Sequence, residues 1–260
     1  MEPLLTYRSV EVSFNGRAVT HDVSFTLHAG EILGIVGESG SGKSTLLKAA
    51  MGLLGNDGLV TKGDIWFKGK DLPDLPEKEL RKICGAGIGM IFQDAGASLC
   101  PIRTIGEQIY ESMSAHMEIT RSQAREKALA LFEKLQFKDG QRIWNSYPFE
   151  LSGGMNQRAG IAIAILMEPP VLLADEPTSA LDVAVQKQVI EEMLHLRELF
   201  GTAIILVTHD IGVVSAMADT VLVLKDGRIM EFGTAQQVLR EPRDAYTRKL
   251  LAAVPKLRRA

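Results

Sequence analysis

The clearest chemical feature of the chain is a short loop that runs from Gly37 to Ser44 with the sequence GESGSGKS. Its spacing fits G-x-x-x-x-G-K-[ST], the pattern of a loop that binds the phosphates of a nucleoside triphosphate. Glycines can take backbone angles that a Cβ forbids, which lets such a loop turn its N–H groups toward phosphate oxygens. Lys43 would supply a positive charge for the β- and γ-phosphates, and Ser44 a hydroxyl for Mg²⁺. The loop indicates that the protein binds a nucleoside triphosphate, but it does not indicate what the energy of hydrolysis is used for.

The elements on either side of the loop support this interpretation. Residues 31–36 are mostly apolar and predict a buried strand, and residues 44–51 predict a helix whose N-terminus faces the anion. A glycine- and serine-rich turn before a helix is the alternative, and it leaves the Lys-Ser pair unexplained. The residues expected to contact the nucleotide here are Gly37, Glu38, Ser39, Gly40, Ser41, Gly42, Lys43, Ser44 and Thr45.

Polar side chains also follow three other apolar strands predicted from the sequence, and α/β proteins bind ligands at such strand ends. The acidic pair Asp175-Glu176 follows one of them. Asp175 would help to hold Mg²⁺ through its water shell, and Glu176 would polarise the attacking water. Gln93 would contact the metal and the water, and His209 would hydrogen-bond the γ-phosphate. Taken singly, each is more typical of a solvated or structural strand end; the phosphate loop favours the functional interpretation.

A second anion-binding helix start is predicted at Leu-Ser-Gly-Gly-Met, residues 151–155. Ser152 can cap the helix that begins after it, and Gly153 and Gly154 permit close approach of a phosphate to the backbone. A single nucleotide bound to one domain does not need two separate sites for its γ-phosphate. Two chains that face each other explain both sites, because each chain can bind one ATP with its phosphate loop and the other ATP with its second site, the clamp.

Composition narrows the class of protein. The chain has 260 residues, 46% hydrophobic content and a net charge of −3, which are ordinary values for a soluble globular protein and give no electrostatic case for a nucleic-acid partner. The longest apolar stretch, residues 159–167, is too short to span a bilayer, and the first residues lack the regions of a signal peptide. Neither Cys84 nor Cys100 belongs to a metal-binding pattern. We therefore expect a cytosolic protein.

The order of elements predicts the fold. Alternating apolar residues predict strands at the front, an apolar stripe with helical spacing dominates the middle, and strands alternate with helices at the rear. We expect one α/β domain over 1–260: a P-loop NTPase core with a mostly parallel sheet and an N-terminal antiparallel β subdomain, at about 1–96 and 159–245. An α-helical subdomain would be inserted at about 97–158, and a short basic tail would occupy 246–260.

Together these motifs resemble the ATP-binding subunit of an ABC transporter, in family order and over nearly the whole chain. The resemblance assigns family motifs as follows: an adenine-stacking aromatic at Phe14, Walker A at 37–44, the Q-loop at Gln93, the signature at 151–155, Walker B at 171–176, the D-loop at 179–182 with Asp182, and the switch histidine at His209. It implies ATP and Mg²⁺ as ligands, with Ser44, Gln93 and Asp175 as metal contacts. It also implies ATP hydrolysis in a head-to-tail dimer.

The resemblance further implies the setting of the protein. The partners would be a second ABC ATPase subunit, either a paralogue or a second copy, transmembrane permease subunits and, indirectly, an extracytoplasmic substrate-binding protein. The protein would lie on the cytoplasmic face of the cell membrane as a peripheral protein. A non-transport ABC ATPase that acts on DNA or ribosomes, and a small-molecule kinase, are the poorer alternatives.

Within the family the chain resembles the peptide and nickel importers. The residues that carry this are Gln93-Asp94, Ser98-Leu99-Cys100-Pro101, Met155 and 181–186. Ala95 and Cys100 depart from the pattern of that branch, near the expected permease surface. Peptide members often carry a C-terminal cysteine cluster for an iron–sulfur centre, and this chain has no cysteine after Cys100. That absence, the end of the sequence soon after 246–249 and the residues Tyr147-Pro148-Phe149-Glu150 before the signature make a nickel or metallophore importer the first expectation. A di- or oligopeptide importer is the alternative.

Overall fold

The structure is a computed structural model that describes residues 3–93, 98–179 and 181–253. The predictions that concern Asp94, Ala95 and Ala180, and the last part of the basic tail, lie outside these residues. The chain divides into two compact units, residues 1–80 with 203–260, and residues 81–202. In the described part of the chain, no helix combines the length and the apolar character needed to cross a membrane.

The secondary structure of the described residues can be given in chain order. The strands are β1 (Pro3–Phe14), β2 (Arg17–Ala18), β3 (Val23–His28), β4 (Ile32–Val36), β5 (Gly58–Phe67), β6 (Lys70–Asp71), β7 (Ile88–Ile91), β8 (Val171–Asp175), β9 (Ala203–Val207), β10 (Thr220–Lys225) and β11 (Arg228–Thr234). The helices are α1 (Lys43–Ala50), α2 (Glu77–Ile83), α3 (Ile105–Ser114), α4 (Arg121–Lys134), α5 (Gly140–Asn145), α6 (Gly153–Ile165), α7 (Val183–Phe200), α8 (Ile211–Met217), α9 (Ala235–Arg240) and α10 (Ala245–Ala252).

The first unit contains the predicted antiparallel sheet. Its strands follow the order β2-β1-β5-β6, and β3 also pairs with β1. Asn15 and Gly16, with φ of 49° and 76°, form the tight turn between β1 and β2, which is the conformation that an Asn-Gly hairpin turn requires. Alternation along β1 buries Leu5 and Tyr7 and, after a shift in register, Val10 and Val12, as a strand with one covered face should.

The same unit contains a second sheet, which carries the phosphate loop. β4 lies between β10 and β9 and is parallel to both, and β11 pairs with β10 in the opposite direction. Every residue of β4 and β9 is buried, which is typical of parallel strands covered on both faces. Asp226-Gly227 forms the turn of the hairpin between β10 and β11.

The second unit combines a parallel strand pair with a group of helices. β7 and β8 are parallel and in register from Ile88–Val171 to Ile91–Ala174. The predicted apolar stripe forms the buried face of α4, through Ala124, Ala128 and Leu131. Capping boxes begin both α3 and α4, at Thr104 and Thr120. The bounds expected for the helical insertion, 97 and 158, fall within this unit and stay a prediction.

Candidate nucleotide-binding site

In the first unit, the phosphate loop joins β4 to α1. Gly42 precedes the helix with a φ of 99°, a left-handed conformation that favours glycine. The N-cap residue Gly42 has no side chain that could accept from the first N–H groups of α1, so this end lacks a side-chain capping bond of the usual kind. The first turn also contains no acidic residue. An uncapped helix N-terminus of this kind presents N–H donors and a partial positive charge to an anion.

The turn after β10 supports the loop from one side. A Cβ on Gly37 would lie 2.1 Å from the carbonyl oxygen of Leu224, a distance at which only glycine fits. The N–H of Gly227 donates to the carbonyl of Ser41 across 3.0 Å. The hairpin of β10 and β11 therefore constrains the path of the loop by a close approach at Gly37 and a hydrogen bond at Ser41.

Lys43 lies across the loop that precedes it. Its side chain is buried, with 6% exposure, and its Nζ donates to the carbonyls of Gly37 at 2.9 Å and Glu38 at 2.8 Å. These bonds orient the ammonium at the start of α1. The hydroxyl of Ser41 is buried and has no hydrogen-bond partner among the described residues. A cation, uncapped N–H groups and an unsatisfied hydroxyl fit a polyphosphate ligand.

The remaining predicted contacts of this unit differ in exposure. Glu38, Ser39 and Gly40 are exposed at the outer part of the loop, and Ser44 and Thr45 are half-buried in the first turn of α1. Phe14 is half-buried at the end of β1, opposite Gly58.

His209 is exposed and follows β9. Since β9 is the parallel neighbour of β4, His209 and the phosphate loop lie at the same edge of the sheet. The structure therefore brings these two predicted features of the first unit together.

In the second unit, the acidic pair follows β8. Asp175 ends the strand and is buried, while Glu176 is half-buried and has a φ of 46°. Left-handed backbone is uncommon for a residue with a side chain and concentrates at functional sites. The Nε2 of Gln93 lies 3.5 Å from Oε2 of Glu176, and the hydroxyl of Ser179 donates to the carbonyls of Glu176 and Gln93 at 3.0 and 3.4 Å. The structure thus brings Gln93 and Glu176 together, as their predicted roles require.

The predicted second anion site forms the start of α6. Ser152 caps the helix, its Oγ accepting from the N–H of Met155 at 3.3 Å, and both Ser152 and Gly153 are exposed. A Cβ on Gly154 would lie 2.8 Å from Cγ1 of Val185, in the first turn of α7. Asp182 caps α7 through the N–H groups of Ala184 and Val185, at 3.0 Å each. The carboxylate of Asp182 therefore caps the first turn of α7, which packs against Gly154 of the signature.

Sequence reasoning missed Gln157, which links the signature helix to the acidic pair. Gln157 is 5% exposed, and its Nε2 donates to the carbonyl of Pro177 across 2.7 Å. Pro177 directly follows Glu176, so a shift of α6 would act on the backbone beside that carboxylate. Gln157 lies between Asn156 and Arg158, ahead of the apolar run of α6, so the local pattern gives no signal that it is buried or which residue it contacts.

Metal ligands of the usual kind do not cluster here. Among residues 3–93, 98–179 and 181–253, no group of three or more His, Cys, Asp or Glu side chains could hold a metal ion. The predicted metal contacts are instead a hydroxyl at Ser44, an amide at Gln93 and one carboxylate at Asp175. Such a set suits Mg²⁺, which keeps several of its waters and shares ligands with substrate phosphates.

Comparisons with known proteins agree with this chemistry. Residues 20–179 match the family model described as ABC transporter. The chain is 44% identical to the oligopeptide transport ATP-binding protein OppD of Haemophilus influenzae over 99% of this chain and 80% of that protein. It is 42% identical to the dipeptide transport ATP-binding protein DppD of Bacillus subtilis over 99% of this chain and 78% of that protein.

A solved structure has the same fold. It is a dimeric, post-hydrolysis state of the ATP-binding cassette MJ0796 with bound ADP and phosphate. It is 29% identical to this chain with a TM-score of 0.77, and the match covers 89% of this chain and 99% of that one. The predicted α/β, P-loop fold is therefore confirmed.

Proposed function

The chain belongs to the ABC transporter family and is an importer ATPase of that family, and from this premise we propose that the transporter takes up peptides. The relatives OppD and DppD carry names that refer to oligopeptides and dipeptides. They support the peptide alternative better than the nickel or metallophore importer that sequence analysis put first. That first expectation used an absent cysteine cluster, and a cluster outside the ATP site carries no information about what the permease and binding protein recognise.

The observation that carries the ATPase mechanism is the phosphate loop with its uncapped helix. The N–H groups at the start of α1 and the ammonium of Lys43 would bind the β- and γ-phosphates. Phe14 would stack on the adenine. Ser44, Gln93 and Asp175 would hold Mg²⁺, which neutralises charge on the phosphate oxygens when bound.

Glu176 would act on the attacking water. Its carboxylate would accept a proton from the water, and Gln93, 3.5 Å away, would orient the same water. His209 would donate a hydrogen bond to the γ-phosphate. The left-handed backbone of Glu176, held by Ser179, favours a fixed direction for this carboxylate.

The clamp at Ser152, Gly153 and Gly154 would serve the ATP of a facing subunit. Two of these residues are exposed at a helix start, and the neighbour MJ0796 is dimeric. A head-to-tail arrangement would set the clamp of each subunit against the loop of the other, with Asp182 beside the shared site. The second subunit would be a paralogue or another copy of this chain.

In the cell the dimer would lie at the cytoplasmic face of the membrane, in contact with permease subunits. An extracytoplasmic substrate-binding protein would deliver the substrate to these permease subunits. The whole chain, 1–260, would act as one ABC ATPase domain. Residues 97–158 would form the helical subdomain that transmits movement to the permease. Of the predicted basic tail, 246–260, residues 246–252 belong to helix α10, in which Tyr246 and Thr247 are buried.

Uptake measurements separate the peptide and nickel alternatives. We expect cells in which this chain carries Lys43→Ala to lose uptake of a labelled oligopeptide and to keep uptake of radioactive nickel. Lys48→Ala is the matched control, because Lys48 lies on the exposed face of the same helix, α1. Loss of nickel uptake with normal peptide uptake would contradict the proposal.

A further inference from the structure

The side chain of Tyr246, on helix α10, contacts the phosphate loop. The hydroxyl oxygen of Tyr246 accepts a hydrogen bond from the backbone N–H of Glu38, with an N···O distance of 3.3 Å. Glu38 is the second residue of the loop. This N–H is therefore engaged by the protein itself, and a segment far along the chain reaches the site.

The ring of Tyr246 is fixed by its surroundings. It is 9% exposed and belongs to a buried cluster on the sheet of β10, β4 and their neighbours, whose other members are Val36, Val214, Val221, Val223 and Val238. The Nζ of Lys225 lies 4.9 Å from the centroid of the ring, within cation–π range. Burial raises the pKa of Tyr246, and the charges of Glu38 and Asp226 raise it further. The phenol is therefore neutral at physiological pH.

The helix that carries Tyr246 is itself anchored. Asp244 caps α10 by accepting from the N–H groups of Tyr246 and Thr247 at 2.7 and 3.1 Å. The carboxylate of Glu231, on β11, accepts from the N–H groups of Arg243 and Asp244 at 2.8 and 3.2 Å. The hydroxyl of Tyr246 thus has a fixed position relative to the sheet from which the loop departs.

We propose that Tyr246 is a positioning residue for ATP, which anchors the N–H of Glu38 and so holds the first half of the phosphate loop in its binding conformation. This rests on the proposed role of the loop in binding ATP. Without the anchor, the loop would populate other conformations, and the apparent affinity would fall by the fraction that remains competent. Tyr246 acts through Glu38 and the loop, so its loss weakens binding more than it slows chemistry.

Tyr246→Phe tests the inference, because it removes the hydroxyl and keeps the ring. We expect the Kd for Mg·ATP, measured by calorimetry on the full chain, to rise about two- to tenfold, the loss of one hydrogen bond. The KM for ATP should rise with it, while kcat stays within about twofold of wild type. The thermal midpoint without nucleotide should stay close to that of wild type. Tyr110→Phe, on α3, is the matched control and should leave Kd and KM unchanged.

The outcomes separate this inference from the function on which it rests. If wild type binds Mg·ATP and Tyr246→Phe binds it equally well, the inference is overturned, whether or not the thermal midpoint falls. If wild type itself does not bind Mg·ATP, the proposed role of the loop fails as well. Glu38→Ala keeps the backbone N–H, so the penalty of Tyr246→Phe should persist in that background. Its disappearance there would assign the contact to the carboxylate and overturn the backbone anchor.

Discussion

Lys43 is the residue whose geometry most directly expresses the phosphate chemistry of this chain. Its aliphatic part is buried, and its ammonium is oriented by the carbonyls of Gly37 and Glu38. A lysine that is already folded over its own loop loses little further freedom when a phosphate arrives, so that more of the electrostatic attraction appears as affinity. The sequence motif identified this residue, whereas the two carbonyl contacts required the folded loop.

Replacing this lysine should therefore weaken nucleotide binding. For Lys43→Ala we expect the Kd for Mg·ATP to rise about 10- to 100-fold, the loss of a charge-assisted hydrogen bond, as measured by calorimetry. Lys48→Ala changes the net charge equally on the exposed face of α1 and should bind as wild type does. Equal weakening in both variants would mean that net charge, and not the position of Lys43, governs binding.

Glu176 shows what the sequence leaves out at this scale. An acidic pair after an apolar strand predicts a carboxylate at a strand end, and the structure has Asp175 and Glu176 there. Nothing in the local pattern predicts the left-handed backbone of Glu176. Ser179 supports that conformation, because its hydroxyl donates to the carbonyl of Glu176 and also to the carbonyl of Gln93, which follows β7. The left-handed backbone of Glu176 therefore arises only in the folded unit.

Among the elements, local periodicity was sufficient where one face is buried: alternation predicted the front strands β1 and β3, and helical spacing predicted the stripe of α4. Continuous apolar runs, without periodicity, predicted β4 and β9, which are buried on both faces. The ends of elements were less accurate: the apolar run before Gln93 continues to Phe92, whereas β7 stops at Ile91 and Phe92 is 40% exposed. The contacts of Gln157 with Pro177 and of Tyr246 with Glu38 escaped prediction because each joins segments that no local pattern relates.

Helices α6 and α7 are joined by a buried ion pair. Nε of Arg158 donates to Oε1 of Glu192, and Nη2 of Arg158 donates to the carbonyl of Leu135 at 2.6 Å. The guanidinium also lies 4.1 Å from the centroid of the Phe137 ring. Burial raises the pKa of Glu192 to about 6, and the charge of Arg158 opposes this only in part. The free-energy cost of removing the two charged groups from water offsets much of the attraction between them.

This pair should make stability depend on pH. The pKa of Glu192 is about 6 in the folded protein and 4.5 ordinarily, so the folded state binds more protons between these values. Its contribution to the free energy of unfolding should be fully present below pH 4.5 and fall by about 2 kcal/mol as pH rises above 6. Chemical denaturation of wild type and Glu192→Gln across this window measures the difference.

Glu191→Gln supplies the control for that measurement, because Glu191 is exposed on the same helix and pairs with Lys187. The difference in unfolding free energy between wild type and Glu191→Gln should be flat across the window. A flat difference for Glu192→Gln as well would contradict the raised pKa.

At the scale of the complete protein, we propose that the phosphate loop is one half of a composite site whose other half is the clamp of a facing subunit. Ser152 and Gly153 of the clamp are exposed, and the first turn of α6 contains no acidic residue. Such a helix start, with its N–H donors, is suited to the γ-phosphate of another subunit. ATP would draw two subunits together, and hydrolysis at Glu176 would release them. A variant that cannot hydrolyse ATP but keeps the phosphate loop should therefore still bind ATP while its rate of turnover falls.

Phosphate release by Glu176→Gln at saturating Mg·ATP measures whether this carboxylate is responsible for hydrolysis. The variant keeps the loop and Lys43, so it should bind ATP with a Kd close to that of wild type. Without a carboxylate to accept the proton of the water, its rate of phosphate release should fall about 100- to 10,000-fold. Phosphate release near the wild-type rate would contradict the assignment of hydrolysis to Glu176.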